Sequence, residues 1–192
     1  LKKPFQSGTK LVVLGGPAML IGLGGGAASS VTAGDSLEEL DFGSVQRQNP
    51  EMQRRCQEVI DQCWQLGDKN PIAFIHDVGA GGLANAVPEI LFSAGVGGEV
   101  NLNSIDVADP SMSPAEVWCN ESQERFVICI SRSSLSVFKK ICVREKCPFS
   151  VIAKVTKQSR LVVTNSETNG SISSKPIDIS LDFLLNSGIK NK

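Results

Sequence analysis

The 192-residue chain contains no tyrosine, a single histidine and no two cysteines spaced as in a CxxC motif. Zinc sites are built mainly from cysteine and histidine, so this composition argues against a zinc-binding domain. Lysine and arginine never form a run longer than a pair, and the formal net charge is −1. Nucleic-acid-binding proteins usually combine a basic patch with stacking aromatic residues, so we expect no nucleic-acid partner.

Long apolar runs are also missing from the chain. Residues 11–31 come closest, but a proline and several glycines interrupt them, so we expect no membrane-spanning segment. The chain starts at Leu1 without a signal-peptide pattern, which is typical of a piece cut from a longer polypeptide. Hydrophobic residues make up 41% and charged residues 20%, a mixture that predicts a globular domain with a buried core.

The six cysteines fall on apolar parts of the sequence. Cys56 and Cys63 lie two helical turns apart on one apolar stripe, and Cys129 lies within a strand-like run. No base lies near them in sequence that would activate a thiol as a nucleophile. This pattern predicts buried thiols that behave as small hydrophobic residues in a reducing compartment.

Residues 72–83 form the stretch around which the rest of the chain is organised. Four apolar residues lead into His76 and Asp77, a glycine-dense turn follows, and the apolar spacing from Leu83 onward is helical. The pattern predicts a buried strand, a tight loop with one carboxylate, and a helix N-terminus. Backbone N–H groups at such a junction bind anions, and an aspartate beside a phosphate can hold its Mg²⁺. An ordinary glycine turn is the alternative.

Other helix signals are distributed along the chain. Asn49 and Pro50 predict the start of a helix that ends at Gly67. Residues 113–116 have the form of a capping box with proline at the first helical position. Pro88 is expected to kink or end the helix that follows the glycine turn.

Short apolar runs predict strands at residues 10–14, 99–102, 126–130, 149–155 and 160–163. We divide the chain into a linker or tail at residues 1–9, a domain at residues 10–165, and a loop, short element and tail at residues 166–192. Five polar residues, 120–124, separate Trp118 from a predicted buried strand. Such a run is costly unless its members are paired in the interior or take part in chemistry, and both possibilities stay open.

Six motifs, in matching order and spacing, make the chain resemble the phosphoribosylformylglycinamidine synthase family in its long, single-chain form. The resemblance covers about residues 10–163. The motifs are residues 14–19, 22–30, 41–47 and 49–52, His76-Asp77-Val78-Gly79-Ala80-Gly81-Gly82-Leu83, and Trp118-Cys119-Asn120-Glu121-Ser122-Gln123-Glu124-Arg125.

The resemblance implies an α+β fold, a three-layer α/β/α unit around a mixed sheet, like the C-terminal domain of aminoimidazole ribonucleotide synthase. Within the family, the chain is similar to the first C-terminal-type domain of the synthetase core. The family uses ATP to phosphorylate the amide oxygen of formylglycinamide ribonucleotide, and ammonia derived from glutamine then displaces the phosphate. The implied cofactor is Mg²⁺, and ATP is a substrate.

The implied partners are these small molecules together with two neighbouring domains of the same parent chain, an N-terminal-type synthetase domain and a glutaminase domain. The chain carries no glutaminase triad of its own, so the fragment alone is expected to be inactive. Residues 22–30 are the candidate surface for packing against a partner domain. The family and the cysteine pattern together imply a cytoplasmic protein.

The resemblance also assigns site residues. Asp77 resembles the family's Mg²⁺ ligand, and the loop after it meets the phosphates of the nucleotide, with Gly79 and Gly81 as the binding positions. Four residues resemble positions that contact the ribonucleotide substrate: Gln46, Glu121, Ser122 and Gln123. No residue is assigned a catalytic role. His76 is expected to orient the loop, and Ala84 stands where relatives commonly have a serine.

The sequence also allows two other interpretations. Other ATP-dependent enzymes of the aminoimidazole ribonucleotide synthase superfamily share the aspartate–glycine loop, but residues 49–52 and 120–125 argue against them. The chain could also be a non-catalytic, structural nucleotide-binding half of the same synthetase core. The presence of Gln46, Asp77 and Glu121 together favours the catalytic half.

Overall fold

The computed structural model describes residues 4–22, 49–166 and 173–186, which form a seven-stranded sheet with helices on both faces. The strands are β1 (Lys10–Gly15), β2 (Ile72–Asp77), β3 (Gly97–Asn101), β4 (Arg125–Ile130), β5 (Phe149–Thr156), β6 (Arg160–Ser166) and β7 (Ser173–Ser180). The helices are α1 (Pro50–Gln65), α2 (Leu83–Ser93), α3 (Pro114–Cys119), α4 (Leu135–Arg144) and α5 (Leu181–Asn186), with 3₁₀ turns at Gly67–Lys69 and Leu102–Ser104.

The sheet is mixed, as predicted. Its strand order is β2-β4-β1-β5-β3-β6-β7, so strands that follow one another in sequence are seldom neighbours in the sheet. β3 and β6 run parallel, and the other neighbouring strands are antiparallel. This order places β1 and β4 in the interior, where each has a strand on both sides.

Alternate residues of the central strands face two separate cores. Leu11 and Val13 of β1 pack with α2 and α3, whereas Val12 and Leu14 pack with α1 and α4. The residues of β4 alternate between the same two cores. The sheet therefore separates two helical layers, which confirms the predicted three-layer α/β/α fold.

The predicted helix boundaries at two helices are confirmed. Asn49 caps α1 by accepting the N–H of Met52 at 2.9 Å, and Pro50 is the first residue of that helix. Ser113 and Glu116 form the reciprocal bonds of a capping box at the start of α3. The thiols also agree with the prediction, because all six cysteines are free, five are buried, and Cys119 is half-buried.

The prediction that the strand before Asp77 is buried is wrong. β2 lies at one edge of the sheet, and Ile75 is 38% exposed. Its sequence is as apolar as that of a central strand because Ile72, Ala73 and Phe74 pack against the cores on the two faces of the sheet. An apolar run indicates that both faces of a strand are covered, but it does not indicate whether the strand is paired with another strand on each side.

Pro88 does not end its helix, since α2 continues to Ser93. The proline has no N–H to donate to the carbonyl of Ala84, but its buried ring packs within the helix and the helix continues past it.

The sequence patterns did not predict β7. This strand pairs antiparallel with β6 at the other edge of the sheet, where Pro176 is tolerated because an edge strand leaves some N–H groups unpaired anyway. The sheet thus continues beyond residue 165 into the stretch predicted as a loop, a short element and a tail. The short element is α5, which follows β7 directly.

Several predictions concern residues outside the described ranges. They include the substrate contact at Gln46 and most of the proposed packing segment at residues 22–30. Within residues 4–22, 49–166 and 173–186, the helices are all too short or too polar to cross a bilayer.

Candidate functional site

Asp77 ends β2 at the point where the chain enters the glycine loop, and its side chain is 79% exposed. Its backbone is fixed by pairing with Phe126 in β4, and the next residue, Val78, donates its N–H to the carbonyl of Arg125 at 3.0 Å. The carboxylate therefore projects into solvent from a rigid position, where it can take a metal ion together with a nucleotide.

His76 connects this end of β2 to α2. Its Nδ1 lies 2.6 Å from the carbonyl oxygen of Asp77, and its Nε2 lies 3.1 Å from Oε2 of Glu89 in α2. Both partners are acceptors, so both bonds form together when both ring nitrogens carry protons. His76 thus links the start of the loop to α2, and a role in orienting the loop stays a prediction. Glu89 carried no signal in the sequence, because it lies 13 residues from its partner.

The glycine loop uses some of its N–H groups internally. Gly82 donates to the carbonyl of Gly79 at 3.0 Å, and Gly81 donates to Oε1 of Glu121 at 2.8 Å. The N–H groups of Gly79 and Ala80 bond to nothing within the described part of the chain. Gly79 is therefore available to a phosphate oxygen in this structure, whereas Gly81 is already bonded to a carboxylate.

Gly82 allows the loop to approach residues 119–120 closely. Its φ is +61°, and a Cβ added at this position would overlap the carbonyl oxygen of Asn120. A residue with a side chain would therefore be strained in backbone conformation and would also push the two segments apart. The start of α2 and the turn at residues 120–123 thus form one packed unit.

A cavity of about 240 Å³ opens beside Asp77, and it is lined by Gln53, Asp77, Val78, Gln123, Glu124, Arg125 and Phe126. Among the residues that the structure describes, its lining carries two carboxylates and two amides, and the one cation, Arg125, is buried. Two carboxylates repel a bare phosphate, so an anionic nucleotide fits here when a cation lies between them. A larger concavity of about 820 Å³, between residues 4–9 and 131–133, contains none of the predicted site residues.

The oxygen donors at this cavity fit Mg²⁺ in the way that the ion is bound beside nucleotides. Mg²⁺ usually takes one or two carboxylates and completes its shell with phosphate oxygens and water. Asp77 supplies such a carboxylate, and the described residues contain no group of three or more His, Cys, Asp or Glu side chains arranged to hold a metal. An ion that arrives with a nucleotide matches this donor set better than a resident metal.

The three consecutive residues 121–123, predicted to bind substrate, face different environments. Glu121 is buried and accepts the N–H of Gly81. Ser122 is fully buried, and its Oγ accepts the N–H of Met19 at 2.8 Å and donates to Oδ1 of Asn120 at 2.7 Å. Gln123 is half-buried, donates to the carbonyl of Glu121 at 3.0 Å, and is the member of the triplet that lines the cavity with Asp77.

Two further residues of the same motif, Asn120 and Arg125, received no site assignment from the sequence. Asn120 is fully buried, and Arg125 donates through Nη1 to Oδ1 of Asn120 at 3.2 Å. The Nε and Nη2 of Arg125 have no partner within the described residues. Burial lowers the pKa of Arg125 to about 10, so the guanidinium keeps its charge at neutral pH. The polar run at residues 120–124, just before a buried strand, was the feature of the sequence that could have indicated these two residues. Asn120 and Arg125 are paired with each other in the interior.

Comparison with known proteins places the chain in a family. Residues 6–165 match the model of the AIR synthase related protein, C-terminal domain. The structure is similar to Thermotoga maritima PurL complexed with FGAR, with 23% identity, a TM-score of 0.75, and coverage of 95% of this chain and 29% of that chain. It is also similar to phosphoribosylformylglycinamidine synthase II from Thermotoga maritima, with 20% identity, a TM-score of 0.70, and coverage of 95% and 27%.

A third similar structure is Thermotoga maritima PurL complexed with ATP, with 20% identity, a TM-score of 0.66, and coverage of 95% of this chain and 26% of that chain. The chain thus spans less than a third of the length of these proteins, and the similarity shows a shared fold. The match to the family model extends over most of the chain. The chain therefore belongs to the AIR synthase related protein family, of which it carries the C-terminal domain.

Proposed function

We propose that this chain is the catalytic C-terminal-type domain of a single-chain phosphoribosylformylglycinamidine synthase. The whole enzyme would convert formylglycinamide ribonucleotide, ATP and glutamine to formylglycinamidine ribonucleotide, ADP, phosphate and glutamate. This domain would contribute contacts to Mg²⁺–ATP and to the ribonucleotide. An N-terminal-type domain would complete the active site, and a glutaminase domain of the same cytoplasmic enzyme would supply ammonia.

The observation that carries this proposal is the position of Asp77. Its exposed carboxylate lies at the end of a strand, two residues before Gly79, and beside a cavity that Gln123 also lines. The N–H of Gly79 has no partner in the part of the chain that the structure describes. A carboxylate that would hold the metal, an N–H that would donate to a phosphate, and a polar side chain that would meet the second substrate are thus adjacent. The matched proteins named as PurL complexed with FGAR and with ATP support this choice of ligands.

Each residue would have a distinct role. Asp77 would hold Mg²⁺, which, when bound, neutralises charge on the phosphates during phosphoryl transfer. The N–H of Gly79 would donate to a phosphate oxygen, and the N–H of Gly81 would do so only after Glu121 releases it. The side-chain oxygen of Gln123 and its second N–H are not used in the bond to Glu121 and would be free for the ribonucleotide. Gln46 would be a further ribonucleotide contact.

The test is Asp77→Asn in the full-length enzyme, with ammonia supplied directly so that the glutaminase step is bypassed. We expect ammonia-dependent turnover to fall by at least about 100-fold, because an amide binds Mg²⁺ much more weakly than a carboxylate does. Glutaminase activity should remain detectable. Asp68→Asn is the matched control, since Asp68 is exposed and lies outside the cavity, and it should leave turnover unchanged.

A non-catalytic, structural nucleotide-binding half is the second candidate. It is favoured by the burial of Ser122 and by the bond that already occupies Glu121, because both groups are then part of the packing. In that case Asp77→Asn would leave ammonia-dependent turnover near its original rate. It would instead reduce the thermal stabilisation that ATP and Mg²⁺ give to the enzyme.

A further inference from the structure

Asn120 is the point at which the segments of the candidate site are joined. Its Nδ2 donates to the carbonyls of Glu116 at 2.8 Å and Val117 at 3.0 Å, and these bonds close the C-terminal end of α3. Its Oδ1 accepts from Oγ of Ser122 and Nη1 of Arg125. The amide nitrogen of Asn120 therefore binds the end of α3, and its amide oxygen binds the turn at residues 120–123.

The acceptor end of this amide leads to two other segments. Ser122, held by Oδ1 of Asn120, accepts the N–H of Met19, and the N–H of Glu121 donates to the carbonyl of Ile21 at 2.9 Å. The turn is thus bonded to the segment that follows β1. Glu121 then reaches across to the N–H of Gly81 in the glycine loop. The positions of the segment after β1 and of the glycine loop therefore both depend on the backbone conformation at Ser122.

We propose that Asn120, held in place by the buried Arg125, is the positioning residue that sets the turn at residues 120–123 against the glycine loop. The effect expected on enzyme kinetics rests on the proposed function, whereas the effect expected on the structure of the turn and the loop does not. The side chain of Asn120 is fully buried and does not line the cavity beside Asp77. It acts through Ser122 and Glu121, and its Oδ1 is the atom that holds the turn in position.

Asparagine suits this position because the site needs donors and an acceptor in one small group. Aspartate keeps the acceptor for Ser122 and Arg125 but loses the donors to the end of α3. Leucine has a similar volume and loses both, and it removes the one side-chain partner that the guanidinium of Arg125 has among the described residues. The two substitutions therefore separate positioning of the turn from capping of the helix.

The test uses both variants in the full-length enzyme, with Asn101→Asp as the matched control. Asn101 is exposed, and its side chain accepts a backbone N–H that aspartate can also accept. We expect Asn120→Leu to raise the KM for formylglycinamide ribonucleotide by about tenfold or more with a smaller change in kcat, because the turn loses its set position. Asn120→Asp should restore most of this loss, and Asn101→Asp should resemble the parent enzyme.

Hydrogen exchange followed by mass spectrometry gives a second readout that does not depend on activity. Asn120→Leu should speed exchange at residues 19–21 and 79–82, beyond the end of α3 itself. If Asn120→Leu fails to fold, Ser122→Ala should produce the same pattern at residues 19–21. The proposal is overturned if exchange changes only at residues 116–120, or if Asn120→Asp is as impaired as Asn120→Leu, since capping of α3 would then explain the effect.

The two proposals fail in different ways. If Asp77→Asn leaves turnover intact while exchange at residues 79–82 responds to Asn120, the proposed function is wrong and the positioning role stands. If Asp77→Asn abolishes turnover while residues 79–82 do not respond to Asn120, the positioning role is wrong and the proposed function stands.

Discussion

Gly82 illustrates how closely two segments of the candidate site approach each other. Its backbone is in the left-handed region, and the position of a Cβ is already filled by the carbonyl of Asn120. Gly95 has a similar φ of +65°, but a Cβ there would meet nothing within 4 Å. Gly82 also has a ψ of −141°, which is open essentially to glycine alone, so a side chain there meets both backbone strain and a steric clash.

We predict that Gly95→Ala lowers the free energy of unfolding by about 1 kcal/mol, the usual cost of a left-handed residue with a side chain. Gly82→Ala should lower it by about 3 kcal/mol or more, because the clash with Asn120 adds to that strain. Urea unfolding of the two variants measures both values. Equal losses would show that the loop and the turn at residues 120–123 can separate at little cost.

The buried thiols give a second prediction at the scale of residues. Burial raises the pKa of Cys63 from 9.0 to about 11 and that of Cys129 from 9.0 to about 12. Above pH 9 the unfolded chain loses these protons while the folded chain keeps them, so the folded state loses stability as the pH rises.

We therefore expect the free energy of unfolding to fall between pH 9 and about pH 11, by up to about 1.4 kcal/mol per pH unit for each such thiol. Chemical denaturation at several pH values measures this slope. Cys63→Ala removes one of the titrating groups, so its slope over the same range should be shallower than that of the parent chain. An identical slope in the two proteins would show that Cys63 does not contribute.

At the scale of elements, the sequence predicted those features that depend on neighbours along the chain. The cap at Asn49 and the capping box at residues 113–116 need only a few consecutive residues, and both are present in the structure. The edge position of β2 and the existence of β7 depend on pairing between distant segments. A local pattern contains no information on such pairing, and Pro176 further hides β7 because proline is rare in central strands.

The capping box of α3 yields a prediction at this scale. Ser113→Ala removes the hydroxyl that accepts the N–H of Glu116, and we expect a loss of about 1 kcal/mol in the free energy of unfolding. Ser136→Ala on the exposed face of α4 is the matched control, and it should be neutral or slightly stabilising because alanine favours helix interiors. A loss of similar size at Ser136 would contradict a role for the cap.

At the scale of the whole molecule, the sheet order brings the sequence motifs together. β2 and β4 are neighbours although about 50 residues separate them, so Asp77 and Gln123 come to line one cavity. The motifs indicated both residues, but periodicity could not show that they are adjacent. Nor could it show that Glu121 would bond to Gly81 and that Ser122 would be buried, since both facts arise from packing between segments that are distant in sequence.

The proposed role of Asp77 is to hold Mg²⁺ for the chemistry of the parent enzyme, and a metal switch can show whether its side chain contacts the ion. Asp77→Cys replaces the carboxylate with a thiolate, a soft ligand that favours Cd²⁺ over Mg²⁺. We would measure ammonia-dependent turnover of the parent enzyme and the variant in each metal. The ratio of turnover in Cd²⁺ to turnover in Mg²⁺ should rise at least about tenfold in Asp77→Cys, because the thiolate contacts the ion itself. An unchanged ratio would show that Asp77 does not touch the metal and would contradict the assignment.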